Sequence, residues 1–219
     1  MFAVYDIAHL LAGLMLVTGF AMLYQDRISA VLTTFAVQAI LLSCAVAWQA
    51  VAQNRPHLFI TAALALGLKG LVIPYALRRM VLKLGMHREV EQVVGVAKAF
   101  ILGLCLTALS FMLVLRVTVK ADVFTREGLA MALAIILIAL LMMITRRNAV
   151  TQIVGFMSLE NGLILAATGA RGMPLVVEVS VAFSVLIALF VFGVFVFRIR
   201  ERFDSVDIEA LDQVRGDQR

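Results

Sequence analysis

Charged residues are scarce in this sequence. They make up 15% of the 219 residues, whereas 63% of the residues are hydrophobic, and the mean hydropathy is +1.03. Because a soluble domain carries about 25% charged residues, this composition excludes a soluble globular domain and indicates an integral membrane protein. The net charge of +5 does not indicate nucleic-acid binding, since the basic residues stand at the ends of hydrophobic runs, where they mark the orientation of membrane spans.

Residue types that carry enzyme chemistry are also rare. The two cysteines, Cys44 and Cys105, lack metal-ligand spacing and lie inside hydrophobic runs, so we expect them to pack as small apolar residues. The sequence has no His/Cys cluster for haem, iron–sulfur or zinc, no glycine-rich phosphate loop and no pair of nucleophile and base. We therefore predict that the chain is not an enzyme and holds no metal or cofactor of its own.

Long hydrophobic runs dominate the sequence instead. A span needs about 20 mostly apolar residues to cross the hydrocarbon core, and it must be a helix because every backbone group has to be bonded within it. The N-terminus lacks the basic region and cleavage site of a signal peptide, so the first run is predicted to be retained. We predict an all-α integral membrane protein with about seven transmembrane helices, at residues 2–24, 28–52, 57–80, 97–119, 128–145, 148–170 and 174–197.

The basic residues in the loops predict the orientation of these spans. Cytoplasmic loops of membrane proteins carry an excess of lysine and arginine, and this rule is met here when the N-terminus lies outside and the C-terminus lies in the cytoplasm. The cytoplasmic group is then Arg27, Arg78, Arg79, Lys83, Arg88, Arg146, Arg147, Arg198, Arg200 and Arg202, and the outer group is Arg55, Arg116, Lys120, Arg126 and Arg171.

The chain is expected to divide into four regions. Residues 1–96 form a three-helix membrane region that ends in a charged interfacial linker, and residues 97–145 form two scaffold helices. Residues 146–202 hold the last two spans, and residues 203–219 form a cytoplasmic tail. Gln38, in the second span, is interpreted as an ordinary packing or interface residue.

Glu160 is the most unusual residue of the sequence. It lies halfway along the predicted span 148–170 and is followed by Asn161. A carboxylate at the centre of a span costs about 2.5–3.5 kcal/mol on insertion scales, so its side chain must face protein or trapped water. Small residues at helical spacing form a stripe on nearly the opposite face, where a neighbouring helix is able to approach closely. We therefore expect protein on both faces of this span. The stripe consists of Gly155, Ser158, Gly162, Ala166 and Gly169.

Lys69 is the second ionisable residue deep inside a predicted span. It lies too far from either end of the span 57–80 to reach the surface comfortably. Pro74 lacks an N–H group and clashes with the carbonyl of Gly70, so a kink is expected close to the lysine. Two interpretations remain open for Lys69: a station for protons or for an ion pair, or a lysine that pairs with one carboxylate and holds two helices in register.

Three further polar positions lie near the outer end of their spans, and one lies within the last span. Glu178, about one turn inside the predicted span 174–197, is either an outer station for protons or a solvated span end. Asp6 and His9 share one face near the start of the first span, where they act in proton uptake or simply mark a solvated helix start. Ser184 is a weaker candidate on the same span as Glu178.

Four segments together resemble a known family. They are LKGLVIP around Lys69, RRNAVTQIVGFMSLENG around Glu160, MPLVVEVSVAF around Glu178, and SVDIEALDQVRG in the tail. The chain resembles component E of membrane complexes of the hydrogenase-4 and formate hydrogenlyase type. Residues 146–216 are also similar to the K subunit of respiratory complex I and to the C subunit of multisubunit cation/proton antiporters.

The resemblance implies a non-catalytic subunit in the membrane arm of a group 4 hydrogenase-like, complex I-related assembly in a prokaryotic plasma membrane. It implies a role in proton or sodium translocation and in assembly. The expected partners are antiporter-like subunits, a complex I H-like subunit and hydrophilic redox subunits, which would carry the nickel–iron and iron–sulfur centres. The residues that match positions of the ion pathway are Lys69, Glu160, Asn161 and Glu178.

The sequence departs from the family pattern at two positions. Many component E sequences have an aspartate at the position of Ser184, and Glu160 falls one helical turn later than the matching glutamate of the complex I K subunit, so that Met157 occupies that register. Two alternative functions therefore stay open beside the ion pathway. One is a subunit of a cation/proton antiporter without a redox partner, and the other is a structural spacer in the membrane arm.

Overall fold

The computed structural model describes residues 2–83, 94–118 and 123–169, together with residue 186. Within these residues the chain is helical, and short connections join successive helices. A continuous π-helical segment, Ala65–Val72, joins α3 to α4. The α-helices are α1 (Phe2–Tyr24), α2 (Ile28–Ala52), α3 (His57–Leu64), α4 (Ile73–Lys83), α5 (Val96–Val117), α6 (Val123–Thr145) and α7 (Ala149–Gly169).

Six stretches of the described chain are long and apolar enough to cross a membrane, which confirms an all-α, multi-pass membrane protein. One of them, His57–Leu82, combines α3, the π-helical segment and most of α4. Apart from residue 186, the predicted seventh span at 174–197 lies outside the described residues, as do the tail at 203–219 and most of the interfacial linker before residue 97. The number seven therefore stays a prediction.

Helix α7 is the most buried of the described spans and α5 is the least buried. In α7, 61% of the spanning residues are buried inside the chain, whereas in α5 the share is 11%. Helix α7 packs against α6 on one side and against α2 on another. The expectation that the helix carrying Glu160 is enclosed on both faces is confirmed.

Two glycines allow α6 and α7 to approach closely. A Cβ atom on Gly155 would lie 2.7 Å from the Cγ of Met143, and one on Gly162 would lie 2.7 Å from Cγ1 of Ile136 and 3.1 Å from the carbonyl oxygen of Ala132. These two members of the small-residue stripe thus act as predicted. Gly169, at the end of the stripe, has open space around it.

Polar side chains close the bundle at both ends. At one end, Nη2 of Arg146 donates to the carbonyl oxygens of Met22, Leu23 and Gln25, at 3.2, 2.8 and 2.9 Å, and so caps the C-terminus of α1. Arg146 is only 2% exposed. Burial lowers its pKa below the ordinary value, while the nearby charge of Asp26 acts in the opposite direction.

At the opposite end of the bundle, a glutamine caps α7. Nε2 of Gln53 donates to the carbonyl oxygen of Thr168 at 2.8 Å. The next residue, Asn54, has φ of 53°, a left-handed conformation that asparagine tolerates better than most residues. The ends of α2 and α7 therefore lie together, on the side away from Arg146.

The prediction for the two cysteines is wrong. Cys44 and Cys105 are both exposed on the surfaces of their helices rather than packed inside. Larger residues fill the interior instead, and Phe35, Met15 and Leu42 are completely buried. Periodicity alone could not distinguish these positions, because the surface of a membrane helix is as apolar as its packed face.

Candidate functional site

Lys69 and Glu160 form a buried ion pair. The Nζ of Lys69 lies 3.2 Å from Oε2 of Glu160, and the two residues are 1% and 3% exposed. The pair joins the π-helical segment to α7, so that neither charged side chain faces the surface of the bundle. The sequence placed both residues deep inside spans, and the structure brings them into direct contact.

The lysine lies in an irregular part of its span. Residues Ala65–Val72 form a π-helix, and the N–H group of Ile73 donates to the carbonyl oxygen of Leu68, five residues earlier. Pro74 follows directly and has no N–H group with which to continue the ladder. The sequence predicts a kink beside Lys69, and the structure has a π-helical segment there. Such segments are rare, but those that occur are often at functional sites.

A chain of neutral polar groups extends from the ion pair across the bundle. Nζ of Lys69 donates to Oδ1 of Asn161 at 3.0 Å, and Nδ2 of Asn161 donates to Oε1 of Gln38 at 3.2 Å. The hydroxyl of Ser158 donates to the same oxygen at 2.8 Å. Nε2 of Gln38 in turn donates to the carbonyl oxygen of Met15 at 3.2 Å. The polar group thus joins α1, α2, the π-helical segment and α7.

The interpretation of Gln38 as an ordinary packing or interface residue is wrong. Its side chain is completely buried and takes part in three hydrogen bonds. The signal in the sequence was its position, because an amide near the middle of the 28–52 run has no route to either membrane surface. A polar residue so placed needs partners from neighbouring helices.

Polar and apolar residues of α7 divide between its neighbours. Ser158, Glu160 and Asn161 face the polar group, and each is at most 3% exposed. The assignment of Ser158 to the small-residue stripe on the face opposite Glu160 is therefore wrong, because its hydroxyl donates to Gln38 of α2. Met157 is completely buried and belongs to an apolar cluster with Phe35 and Val154.

The weaker candidates lie elsewhere. Nδ1 of His9 lies 3.7 Å from Oε2 of Glu127 at the start of α6, whereas Asp6 is exposed. This exposure favours the interpretation of Asp6 as part of a solvated helix start. Glu178 and Ser184 lie outside the described residues, so their roles stay predictions.

Comparison with known proteins places the chain among relatives of similar length. The uncharacterized protein Rv0085 of Mycobacterium tuberculosis is 30% identical over 208 residues, which cover 93% of this chain and 94% of the relative. The chain belongs to the same family as Rv0085. Rv0085 matches this chain over nearly the whole length of the chain, including the segments that carry Lys69 and Glu160.

A more distant similarity connects the chain with a hydrogenase component. Hydrogenase-4 component E of Escherichia coli K12 is 25% identical over 208 residues, which cover 94% of this chain and 96% of the relative. The same protein of Shigella flexneri gives the same values. No family model matches the sequence, and no solved structure matches it either. The similarity of residues 146–216 to the K and C subunits stays a prediction.

Proposed function

We propose that this chain is a non-catalytic subunit in the membrane arm of a hydrogenase-4-like, complex I-related energy-converting complex, where it contributes to the ion pathway and to assembly. Two findings support the proposal. The similarity to hydrogenase-4 component E extends over 94% of the chain, and the described residues contain six helices suited to a membrane. The observation that carries the role in ion translocation is the buried pair of Lys69 and Glu160.

The energetic cost of this pair supports a functional role. Two charges in the hydrocarbon region lose their hydration, and their mutual attraction often fails to offset that loss. Well-packed apolar residues of similar volume would serve helix packing as well or better. Ionisable residues inside membrane proteins therefore mark pathways of ions or protons by default.

Each residue of the site has a distinct proposed role. Glu160 is the central protonatable carboxylate, and Lys69 is the cation whose charge biases it. Asn161 accepts a hydrogen bond from the ammonium of Lys69 through its Oδ1 atom. Glu178 is an outer station near the end of the seventh span. Either protons or sodium ions would move along this route, driven by redox subunits that carry the nickel–iron and iron–sulfur centres.

The proposed orientation has the N-terminus outside and the C-terminus in the cytoplasm. Contacts at the two ends of the bundle support the grouping of loops on which this orientation depends. Arg146 contacts Gln25, so the connections α1–α2 and α6–α7 lie on one side. Gln53 contacts Thr168 on the other side. The first side carries Arg27 and Arg147, and positive charge favours the cytoplasm.

A structural spacer is the second candidate function, and one observation favours it. The ammonium and the carboxylate are in direct contact, and the groups that extend the network from Lys69, namely Asn161, Gln38 and Ser158, are neutral. A pair of this kind is able to hold the π-helical segment against α7 in a fixed register without moving a proton.

Identification of the partner proteins tests the proposal. The tagged chain should be purified from its native membranes in a mild detergent, and the associated proteins should be identified by mass spectrometry. We expect antiporter-like subunits, a complex I H-like subunit and hydrophilic subunits with nickel and iron–sulfur centres. Recovery of antiporter subunits alone would support a cation/proton antiporter, and recovery of the chain alone would contradict the proposal.

A further inference from the structure

The side-chain amides of Gln38 and Asn161 form a directional chain of hydrogen bonds. The NH₂ group of Gln38 donates to the carbonyl oxygen of Met15, and the carbonyl oxygen of Gln38 accepts from the NH₂ group of Asn161. The carbonyl oxygen of Asn161 then accepts from Lys69. Every donor along this chain therefore points from Lys69 towards α1.

Both ends of the chain require this direction. The carbonyl oxygen of Met15 only accepts hydrogen bonds, and the ammonium of Lys69 only donates them. If both amides were reversed, the Gln38 oxygen would face the Met15 oxygen, and the NH₂ group of Asn161 would face the ammonium. At the two ends of the chain, two acceptors or two donors would then face each other in a buried site, where unsatisfied groups are costly.

The hydroxyl of Ser158 further stabilises this orientation of Gln38. It donates to the Gln38 oxygen at 2.8 Å, so this oxygen accepts two hydrogen bonds, one from Ser158 and one from Asn161. Gln38 is completely buried, and no solvent is at hand to replace these partners. The orientation of one amide thus determines the orientation of the next.

We propose that Gln38 is a positioning residue, whose amide orients Asn161 so that the Asn161 carbonyl oxygen is presented to Lys69. Gln38 does not contact the ion pair itself and acts through Asn161. The effect on ion transport rests on the proposed function, but the orientation of Asn161 does not. The orientation of Asn161 and the effect on ion transport are therefore tested by separate measurements.

Solid-state NMR of the whole chain in lipid bilayers tests the orientation directly. The sequence contains only the three asparagines Asn54, Asn148 and Asn161, and the four lysines Lys69, Lys83, Lys98 and Lys120, so ¹³C-asparagine and ¹⁵N-lysine labels give few signals. We expect one cross-peak between Cγ of Asn161 and Nζ of Lys69, which Lys69→Met removes and so assigns. Because reversal of the amide about its Cβ–Cγ bond leaves Cγ in place, this cross-peak shows that the two side chains are close but not how the amide is oriented. The orientation is read, with ¹⁵N-asparagine added, from the distance between the Asn161 amide protons and Nζ of Lys69. In Gln38→Met these protons should show more than one position, because the Asn161 amide has no fixed acceptor.

Two variants serve as matched controls. Gln49→Met makes the same substitution on the same helix, at a residue that contacts Gln53, and Ser158→Ala removes the second donor to Gln38 without changing Asn161. Both should keep the single wild-type position of the Asn161 amide protons. An unchanged position in Gln38→Met would overturn the proposal, and so would its loss in both controls, because substitutions elsewhere would then suffice.

A second measurement needs no Gln38 variant and therefore does not depend on its folding. In the wild-type chain, proton-detected spectra should show the Asn161 amide protons close to Cδ of Gln38 and remote from Nζ of Lys69. Amide protons directed at Lys69 would contradict the proposed orientation.

In the assembled complex, Gln38→Met should reduce ion transport, and it should cause no additional loss when combined with Asn161→Leu. Additive losses would show that Gln38 does not act through Asn161.

Discussion

The ammonium nitrogen of Lys69 lies 3.2 Å from a carboxylate oxygen of Glu160, and this contact joins two helical segments that are far apart in the sequence. Both side chains are almost fully buried. Each charge is therefore stabilised chiefly by the other and by the polar groups around it, since little solvent is available. Removal of either charge leaves the other buried without its partner of opposite sign.

Removal of one partner should destabilise the chain more than removal of both. We expect Lys69→Met or Glu160→Gln alone to lower the free energy of unfolding by about 3–5 kcal/mol, the usual cost of an uncompensated buried charge. The double variant Lys69→Met/Glu160→Gln should lose clearly less. Equilibrium unfolding in mixed detergent micelles measures these differences. Glu127→Gln, at a side chain that is 44% exposed, is the control and should change little. Independent, additive losses from Lys69 and Glu160 would contradict a direct pair.

Arg146 should be important for stability although it lies outside the spans. Its Nη2 atom contacts three carbonyl oxygens at the end of α1, and buried groups left without partners cost about 1–3 kcal/mol each. We expect Arg146→Met to lower the thermal unfolding midpoint strongly and Arg146→Lys to have an intermediate effect, because an ammonium retains donors without the planar geometry of a guanidinium. The neighbouring Arg147 is exposed, and Arg147→Met should be close to neutral. Equal effects at both positions would argue against a capping role.

Close packing of α6 and α7 predicts a strong effect of one added methyl group. In Gly162→Ala, the new Cβ would lie 2.7 Å from Cγ1 of Ile136 and 3.1 Å from the backbone oxygen of Ala132. Since this backbone contact is not relieved by a side-chain rotation, we expect a loss of about 1–3 kcal/mol. Gly13 has nothing within 4 Å of its Cβ position, so Gly13→Ala should be neutral or stabilise α1 by about 0.5–1 kcal/mol. Unfolding measurements that rank the two variants in the opposite order would contradict the observed helix contact.

The proposed orientation predicts which loops react from each side of the membrane. Single cysteines should be introduced as His57→Cys and as Arg147→Cys, both at exposed positions, after replacement of Cys44 and Cys105 by alanine. A membrane-impermeant maleimide added to intact cells should label the first variant, and it should label the second only after the membrane is permeabilised. The reverse pattern would invert the assigned topology. Labelling of both variants from outside would exclude an odd number of spans between residues 57 and 147.

The sequence predicted the helical class and the two main residues of the site because a charge in the middle of an apolar run stands out from its surroundings. Lys69 and Glu160 were found in this way. Their direct contact was not predictable from one sequence, since it depends on how the π-helical segment packs against α7. Gln38 was missed because an uncharged amide gives a weaker signal than a charge, although it too lies in mid-span. Arg146 was recognised as a marker of orientation, but its capping role depends on the position at which α1 ends beside it.

We propose that the carboxylate of Glu160 takes part in ion translocation within a redox-driven membrane complex. The most direct test measures ion pumping in vesicles and redox turnover in detergent for complexes that carry Glu160→Gln, with Glu127→Gln as the control and with equal amounts of this chain verified by immunoblot. We expect Glu160→Gln to reduce pumping while redox turnover is largely retained, and we expect the control to pump like the wild type. Unchanged pumping in Glu160→Gln would contradict a role for this carboxylate in the pathway and would favour the structural spacer.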